Sequence, residues 1–571
     1  MKKLSIISIL LCLLLVLSLF AACDFTGNGG KNEGGGDNPG GDDPGGDDPV
    51  VDSGIKDWEN NEIVESDSAL YRDYYQIFVY SFADSNGDGI GDLKGIESKL
   101  DYIAALGFNG IWLTPIHPSS TEHCYDVEDY YGVNEQFGTL SDFKDLVDAA
   151  HERGISVMMD LVINHSSNKH PWFKQAQTAW KNKNTTNKYY DYYTFYNADG
   201  SSYATFETES TMPKLNLSSD NVRAEIENIC EYWLKDYGVD AFRLDAAWHF
   251  YGKDASANVA FMQWLYKTAK KYNPDIYMVG EVWSSSTVVY SHYAENSVQS
   301  FFNFSYGTPA NNLMTILNPG QTSRAATLAN MLTNKENGTA KGIDALFASN
   351  HDTTRISGTI SYVNSRTGEV TDERMSQHKM SIALLYTQTG NVFNYYGNEI
   401  GMRNGTRKST SSDYKDYTYR TAMYWGIDSV YEKSDGFAYK AYGYSGRFGE
   451  YDDYLGGVAE QLDDQNSLLN FYRRVMLLRR QNPEIAQGKS TFISTDDSDL
   501  LVIIREYKGS KILMLYNLNS TDSVDFDVDN IISKYGLSGD LVGFLSSDND
   551  RDVTMSDTTV TLPQFSIAVI R

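Results

Sequence analysis

Cysteine is scarce in this chain, with four residues among 571, and two of those fall within the first 23. Cys124 and Cys230 are the thiols left to the body of the protein. They stand 230 − 124 = 106 residues apart with nothing to imply pairing, so both read as free or buried thiols and a disulfide scaffold is excluded. Positive charge is also in short supply: 48 Lys and Arg face 76 Asp and Glu, a formal balance of −28. Sequence-independent binding of a phosphate backbone needs clustered cations, so nucleic acid is excluded as a default partner. Apolar and aromatic residues are plentiful, at 41 % and 13 %, with 41 tyrosines. Flat amphipathic rings of this kind stack on sugars and pack cores equally well. The length fits two to four domains, or one large barrel with attachments, and a sizeable buried core.

The N-terminus places two lysines before an uncharged, largely apolar run from Leu4 to Ala22, followed by Cys23. This pattern is an export signal over 1–22. Phe20-Ala21-Ala22-Cys23 resembles the lipobox of bacterial lipoproteins, which implies lipidation at Cys23 and anchoring to a bacterial membrane. An uncleaved anchor is the alternative, since about 20 apolar residues span a bilayer. Either way the body of the protein is expected outside the cytoplasm, extracellular or at the cell surface. Residues 23–57 are Gly, Asp, Asn and Pro, including GGDDPGGDDP at 40–49, and read as a flexible acidic tether.

Beyond the tether, eight apolar runs recur: 74–82, 108–115, 155–164, 239–245, 276–281, 298–304, 343–350 and 391–397. They read as buried parallel strands. Amphipathic stretches at 93–107, 140–154 and 221–238 lie between them, each ending in Gly as helices often do. Eight strand–helix units predict an α/β fold, a (β/α)8 TIM barrel over 58–164 and 220–484. The third and fourth runs start 239 − 155 = 84 residues apart, against 47 and 37 for neighbouring pairs. The surplus predicts a loop-rich subdomain B at 165–219, inserted after strand 3. After a helix around 465–481, the two-residue alternation of 500–519 and 558–571 predicts a C-terminal antiparallel β-sandwich domain over 485–571, with Lys508-Gly509 as a hairpin turn.

Barrel enzymes gather reactive groups at the C-terminal ends of their strands. Those ends carry Asp160 and His165, Arg243 and Asp245, Glu281, and His351 with Asp352. A single acid there is most often a helix cap. Three acids drawn to one pocket mouth, with an Arg and two His beside them, point to chemistry, because like charges held close are unfavourable unless used. Glycosidic bond cleavage needs such a set: one carboxylate attacks the anomeric carbon and a second, kept protonated, feeds the leaving oxygen. The residues alone do not assign which acid does which.

At these positions the sequence resembles glycoside hydrolase family 13, the α-amylase family. Its short conserved regions stand in order as DLVINH (160–165), MPKLN (212–216), AFRLDAAWH (241–249), VGEVW (279–283) and ASNHD (348–352). The resemblance covers roughly 70–571. It implies Asp245 as nucleophile, Glu281 as general acid/base and Asp352 as transition-state stabiliser. It further implies that Arg243 keeps the nucleophile ionised, that His165 and His351 hydrogen-bond the distorted sugar, and that Tyr125 is the ring on which the sugar stacks. Asp160 reads as a structural partner of the arginine and Asn350 as a positioner of Asp352. Trp248 stands where many members carry Lys, and implies aromatic contact just past the cleavage point. The aromatics of 172–196 either floor extra subsites or pack the subdomain's own core.

The loop DSNGDGIGD (84–92) sets oxygen-bearing side chains at alternate positions around a glycine turn, a pattern for a hard cation, here Ca²⁺. An EF-hand is excluded because its twelfth position is Gly95 rather than Glu. The loop resembles the DxNxDGxGD loop of several family-13 subgroups. That implies ligation by Asp84, Asn86, Asp88, Asp92 and the carbonyl of Ile90. The expected function is retaining, endo-acting hydrolysis of α-1,4-glucans such as starch and maltooligosaccharides, by a monomer. His123, two residues before Tyr125, tilts the reading toward polysaccharide cleavage. The alternatives are an exo-acting α-glucosidase or oligo-1,6-glucosidase, a neopullulanase-like enzyme, and a non-catalytic starch-binding lipoprotein.

Overall fold

Strict two-residue alternation inside a short run decides which side chains face inward, and each of the eight apolar runs contains a strand. In a computed structural model these are β1 (Tyr74–Ile77), β2 (Gly110–Leu113), β3 (Ser156–Leu161), β4 (Ala241–Leu244), β5 (Tyr277–Gly280), β6 (Ser300–Phe302), β7 (Ile343–Phe347) and β8 (Asn391–Tyr395). All pair in parallel and in chain order. The cylinder closes where Tyr74 of β1 registers with Phe393 of β8. The structure describes residues 56–66, 68–307, 312–364, 368–405, 418–426 and 455–571. The expected signal segment 1–22, lipidated Cys23 and the tether up to residue 55 lie outside the described residues.

The lumen is packed rather than open. Tyr74, Trp112, Met158, Ala241, Tyr277, Phe302, Phe347 and Phe393 fill its lower part. Tyr74 stacks on Phe393 with centroids 5.0 Å apart, and Trp112 on Phe302 at 5.2 Å. Such pairs add about 0.5–1.5 kcal/mol each beyond area burial. Continuing the alternation upward turns Gln76, Asp160, Arg243, Asp245 and Glu281 toward the same axis, above the apolar floor. The barrel is thus apolar below and charged at the mouth by register alone.

Outer helices cover the cylinder. Leu140–Glu152 begins at Thr139, whose hydroxyl accepts from the N–H of Asp142 while Asp142 returns a bond to the N–H of Thr139. It buries Phe143, Leu146, Val147 and Ala150 at helical spacing. Gly154 and Gly238 sit at positive φ after their helices, the conformation a helix end requires. The helix expected over 93–107 is broken in two, Leu93–Glu97 and Leu100–Ala105. The Ser98 hydroxyl donates to the carbonyl of Gly95, and Lys99 N–H turns back to Ile96 instead, which tightens the turn.

Between β3 and β4 the chain forms the helix Pro171–Lys181 and a hairpin of Thr205–Phe206 against Glu209–Pro213. Trp172, Phe173, Tyr192, Tyr193 and Phe195 are buried and pack into a core continuous with that around the barrel, Trp172 stacking on Tyr130. The tail forms a five-stranded antiparallel sheet and a three-stranded one. Their apolar faces meet through Val502, Ile504, Leu513, Leu515, Val560 and Leu562. Tyr507 pairs with Ser510, making Lys508-Gly509 the hairpin turn. Cys124 and Cys230 are both free and buried. Among the described residues no helix is long and apolar enough to cross a membrane.

Candidate active site

Arg243 organises the mouth of the barrel. It is fully buried, and its Nη1 donates to Oδ1 of Asp245 and to Oδ1 of Asp160, 2.8 Å each, while Nη2 lies 3.0 Å from Oε2 of Glu281. One guanidinium therefore holds three carboxylates, Asp160 on β3 and Asp245 and Glu281 directly after β4 and β5. Glu281 also accepts from the N–H of Ala246 at 2.9 Å. Ala246 sits in the left-handed region at φ +48°, an uncommon conformation for a residue with a Cβ. That turn aims its amide across to the neighbouring strand.

Asp352 is anchored separately. Its Oδ1 accepts from Nη2 of Arg420 at 2.8 Å, and its Oδ2 is 3.0 Å from Nε2 of His351. Arg420 also donates through Nε to the His351 carbonyl and reaches Glu122 with Nη1 at 3.5 Å. The side-chain nitrogen of Gln76 lies 2.7 Å from Nδ1 of His351. With that amide donating, the neutral ring carries its proton on Nε2, facing Asp352. Asn350 Oδ1 accepts from the N–H of Asp352, the expected positioning contact. The Tyr125 hydroxyl joins both groups, 2.9 Å from Asp160 Oδ2 and 2.7 Å from His351 Nε2, and its ring stacks on His351. His165 Nε2 is 3.2 Å from the Tyr125 carbonyl, and Nδ1 meets the side chain of Asn164.

Burial and crowding set the charges. Five carboxylates (Asp160, Asp245, Glu281, Asp352 and Glu122) face two guanidiniums, so the cluster favours retaining a proton. Burial raises Glu281 above its ordinary value; Arg243 opposes this, and Asp245 and Asp352 add to the rise. Asp352 goes the other way: burial alone would raise it, but His351, Arg420 and Arg243 outweigh that and hold it well below the carboxylate range. Arg243 was expected to hold Asp245 low. The net direction is upward instead, because burial outweighs an arginine shared among three acids. Burial pushes His165 down to about 3 and keeps it neutral.

The sequence profile of the α-amylase catalytic domain matches residues 76–488. The chain belongs to the α-amylase family, glycoside hydrolase family 13. It is 33 % identical to Alpha-amylase 3 of Dictyoglomus thermophilum, over 81 % of this chain and 87 % of that protein. It is 29 % identical to the probable oligo-1,6-glucosidase 2 of Bacillus subtilis, over 79 % of this chain and 90 % of the relative. Among solved structures, Eubacterium rectale Amy13B superposes with a TM-score of 0.76 at 33 % identity, covering 90 % of this chain and 97 % of that one. The α-amylase from H. orenii gives 0.67 at 32 %, covering 88 % and 99 %.

In this family-13 barrel every expected site residue around the acids lies at the mouth. Trp248 is half-buried, its backbone N–H donating to the Glu281 carbonyl and Lys253 Nζ over its ring at 4.6 Å. Trp283, two residues past Glu281, is 46 % exposed and stacked on Phe304 at 4.7 Å. The 84–92 loop is closed by its own bonds. Asp84 accepts from the N–H groups of Asn86, Gly87 and Gly89; Asn86 accepts from Asp88, and Asp88 from Ile90. Asp92 caps the next helix through Gly95 N–H and also takes Ser85. The donors are all oxygen, as a hard cation requires. Among the described residues no three His, Cys, Asp or Glu converge as a metal cluster.

Sequence reasoning missed Gln76, Glu122, Arg420 and the Ala246 amide. Gln76 was accessible from alternation, as the inward residue after Tyr74. Arg420 lies beyond β8 in no motif, and nothing local marks it.

Proposed function

We propose that this glycoside hydrolase is a retaining α-amylase that cleaves internal α-1,4-glucosidic bonds of starch-like glucans. The observation that carries the reading is the shared guanidinium: Asp245 and Glu281 both lie on Arg243, a closeness that suits the roughly 5–5.5 Å carboxyl separation of retaining enzymes better than the wider gap of inverting ones. A sugar stacked on Tyr125 presents its anomeric carbon to Asp245. Glu281 gives its proton to the glycosidic oxygen as that bond breaks and Asp245 bonds to the anomeric carbon. Glu281, now ionised, takes a proton from water, which displaces Asp245 and releases the sugar with its original configuration. Asp352, held ionised, stabilises the positive charge that develops on the ring. His351 and His165 hydrogen-bond its hydroxyls, and Trp248 with Trp283 offers aromatic faces to the departing chain.

The name of the Bacillus subtilis relative supports a second reading, exo-acting cleavage of short oligosaccharides. A time course of product lengths from amylose, pullulan and maltotriose separates the two. Early mixed maltooligosaccharides are expected, and glucose released alone from chain ends would refute endo action.

Calcium at Asp84, Asn86, Asp88, Ile90 and Asp92 belongs to the same proposal, as does a monomer held at the cell surface through lipidated Cys23. The acidic tether composition of 23–57 supports an anchored body kept clear of the membrane.

A further inference from the structure

The hairpin between β3 and β4 reaches back over the mouth of the barrel. Phe206, at the end of its first strand, stacks on the His165 ring with centroids 4.9 Å apart and planes 20° from parallel. The same phenyl ring meets His249 edge-on at 5.2 Å and 81°. Next to it, Glu207 sits at φ +46° with its carboxylate 3.9 Å from Nε2 of His249. Lys214, directly after the second strand, bridges to His165 through the backbone, and its ammonium donates to the carbonyl of His249. One short hairpin thus ties His165, in the loop after β3, to the turn that follows Asp245 at the end of β4.

We propose that Phe206 is a positioning residue for glycosidic cleavage, holding the His165 ring at a fixed tilt while its Nε2 changes hydrogen-bond partner. His165 Nε2 rests on the Tyr125 carbonyl at 3.2 Å. To bond a sugar hydroxyl it must give up that contact. A directional bond that is exchanged does not preserve orientation during the exchange; a stacked face does, because it constrains tilt and leaves the ring's edge free. The second contact, to His249, couples the same phenyl ring to the 246–249 turn. That turn carries the Ala246 amide bonded to Glu281, and Trp248. The inference rests on the glycosidase reading above, in which His165 contacts the distorted sugar.

The test compares Phe206→Ala, Phe206→Tyr and Phe206→Trp with the wild type on maltotriose. Phe206→Ala is expected to lower kcat about fivefold to tenfold, the effect of losing one well-placed aromatic pair, and to move KM less than about twofold. The Tyr and Trp variants, which keep a stacking face, are expected to restore kcat to within about threefold. In a Glu281→Gln background, maltotriose binding measured by calorimetry is expected to stay within about twofold on adding Phe206→Ala. A Phe206→Ala enzyme with unchanged kcat, or a loss that neither aromatic variant rescues, would overturn the inference. A wild type inert toward every α-glucan would overturn the functional reading instead. Crystal structures of wild type and Phe206→Ala then decide the positioning role: a rotated His165 ring is expected, and an unmoved one refutes it.

Discussion

Replacing Arg420 tests whether Asp352 works only when held. Arg420 donates to Asp352 Oδ1 at 2.8 Å and to the His351 carbonyl at 3.0 Å, and lies over Phe78 at 5.4 Å. Its side chain is 8 % exposed and that of Asp352 24 %, so solvent screens the pair only in part. A hydrogen bond to a charged partner contributes about 1.5–3 kcal/mol. If that bond sets the position and ionisation of Asp352 in the transition state, losing it lowers kcat/KM by roughly ten- to hundredfold, at about 1.36 kcal/mol per decade. Arg420→Lys keeps the charge but cannot reach Asp352 and the His351 carbonyl with a planar fork, and should fall between wild type and Arg420→Leu. The direction with pH follows from linkage. Asp352 is depressed in the fold, so its stabilising contribution is present above its unfolded value near 3.9 and fades as pH falls. Arg420→Leu should therefore lower Tm at pH 7 more than at pH 3, and should move the acid limb of the kcat/KM profile upward. Steady-state kinetics on maltooligosaccharides from pH 4 to 9, with melts on the same samples, give both readouts. An Arg420→Leu enzyme within threefold of wild type, with an unmoved acid limb, would refute the reasoning.

Glu281→Gln should lower kcat by about 10²–10⁴-fold while raising Tm at pH 7, since it replaces a carboxyl whose ionisation burial, Asp245 and Asp352 disfavour in the fold. Glu281 is raised in the fold, so its contribution to stability is present below its unfolded value and lost as pH rises through the folded one. The gain in Tm should shrink on going from pH 7 to pH 4, and a gain that grows toward acid contradicts this. Ala246→Gly should be neutral or stabilising by up to about 1 kcal/mol in melts, because it relieves a left-handed residue, with activity kept if the amide alone serves Glu281. A chelator should lower Tm if calcium binds the 84–92 loop of the native state, and calcium should restore it. An unchanged Tm after verified metal removal counts against that site.

Much of the fold was legible because its code is local. Eight near-continuous apolar runs are enough to read eight buried strands, and the inward–outward alternation inherent in a strand carries Ala241, Arg243 and Asp245 up one inward face. The three acids were legible because strand ends in a barrel meet at one mouth. The break at Ser98 was not, since the competing bond is a side-chain hydroxyl to the Gly95 carbonyl inside an otherwise helical pattern. Arg420 and Phe206 were not legible for a different reason. Their partners, Asp352 and His165, are 68 and 41 residues away, and only the folded chain brings them together. The rise in Asp245 was missed because sequence shows one arginine beside one acid, while the fold buries that acid, and burial outweighs the arginine.

The most direct test of the central claim follows the anomeric proton of the first product by NMR during cleavage of maltotriose or amylose, before mutarotation. Asp245 as nucleophile and Glu281 as acid and then base predict that the α-anomer appears first. Prompt release of the β-anomer would mean a single displacement by water, and would contradict the roles given to both carboxylates.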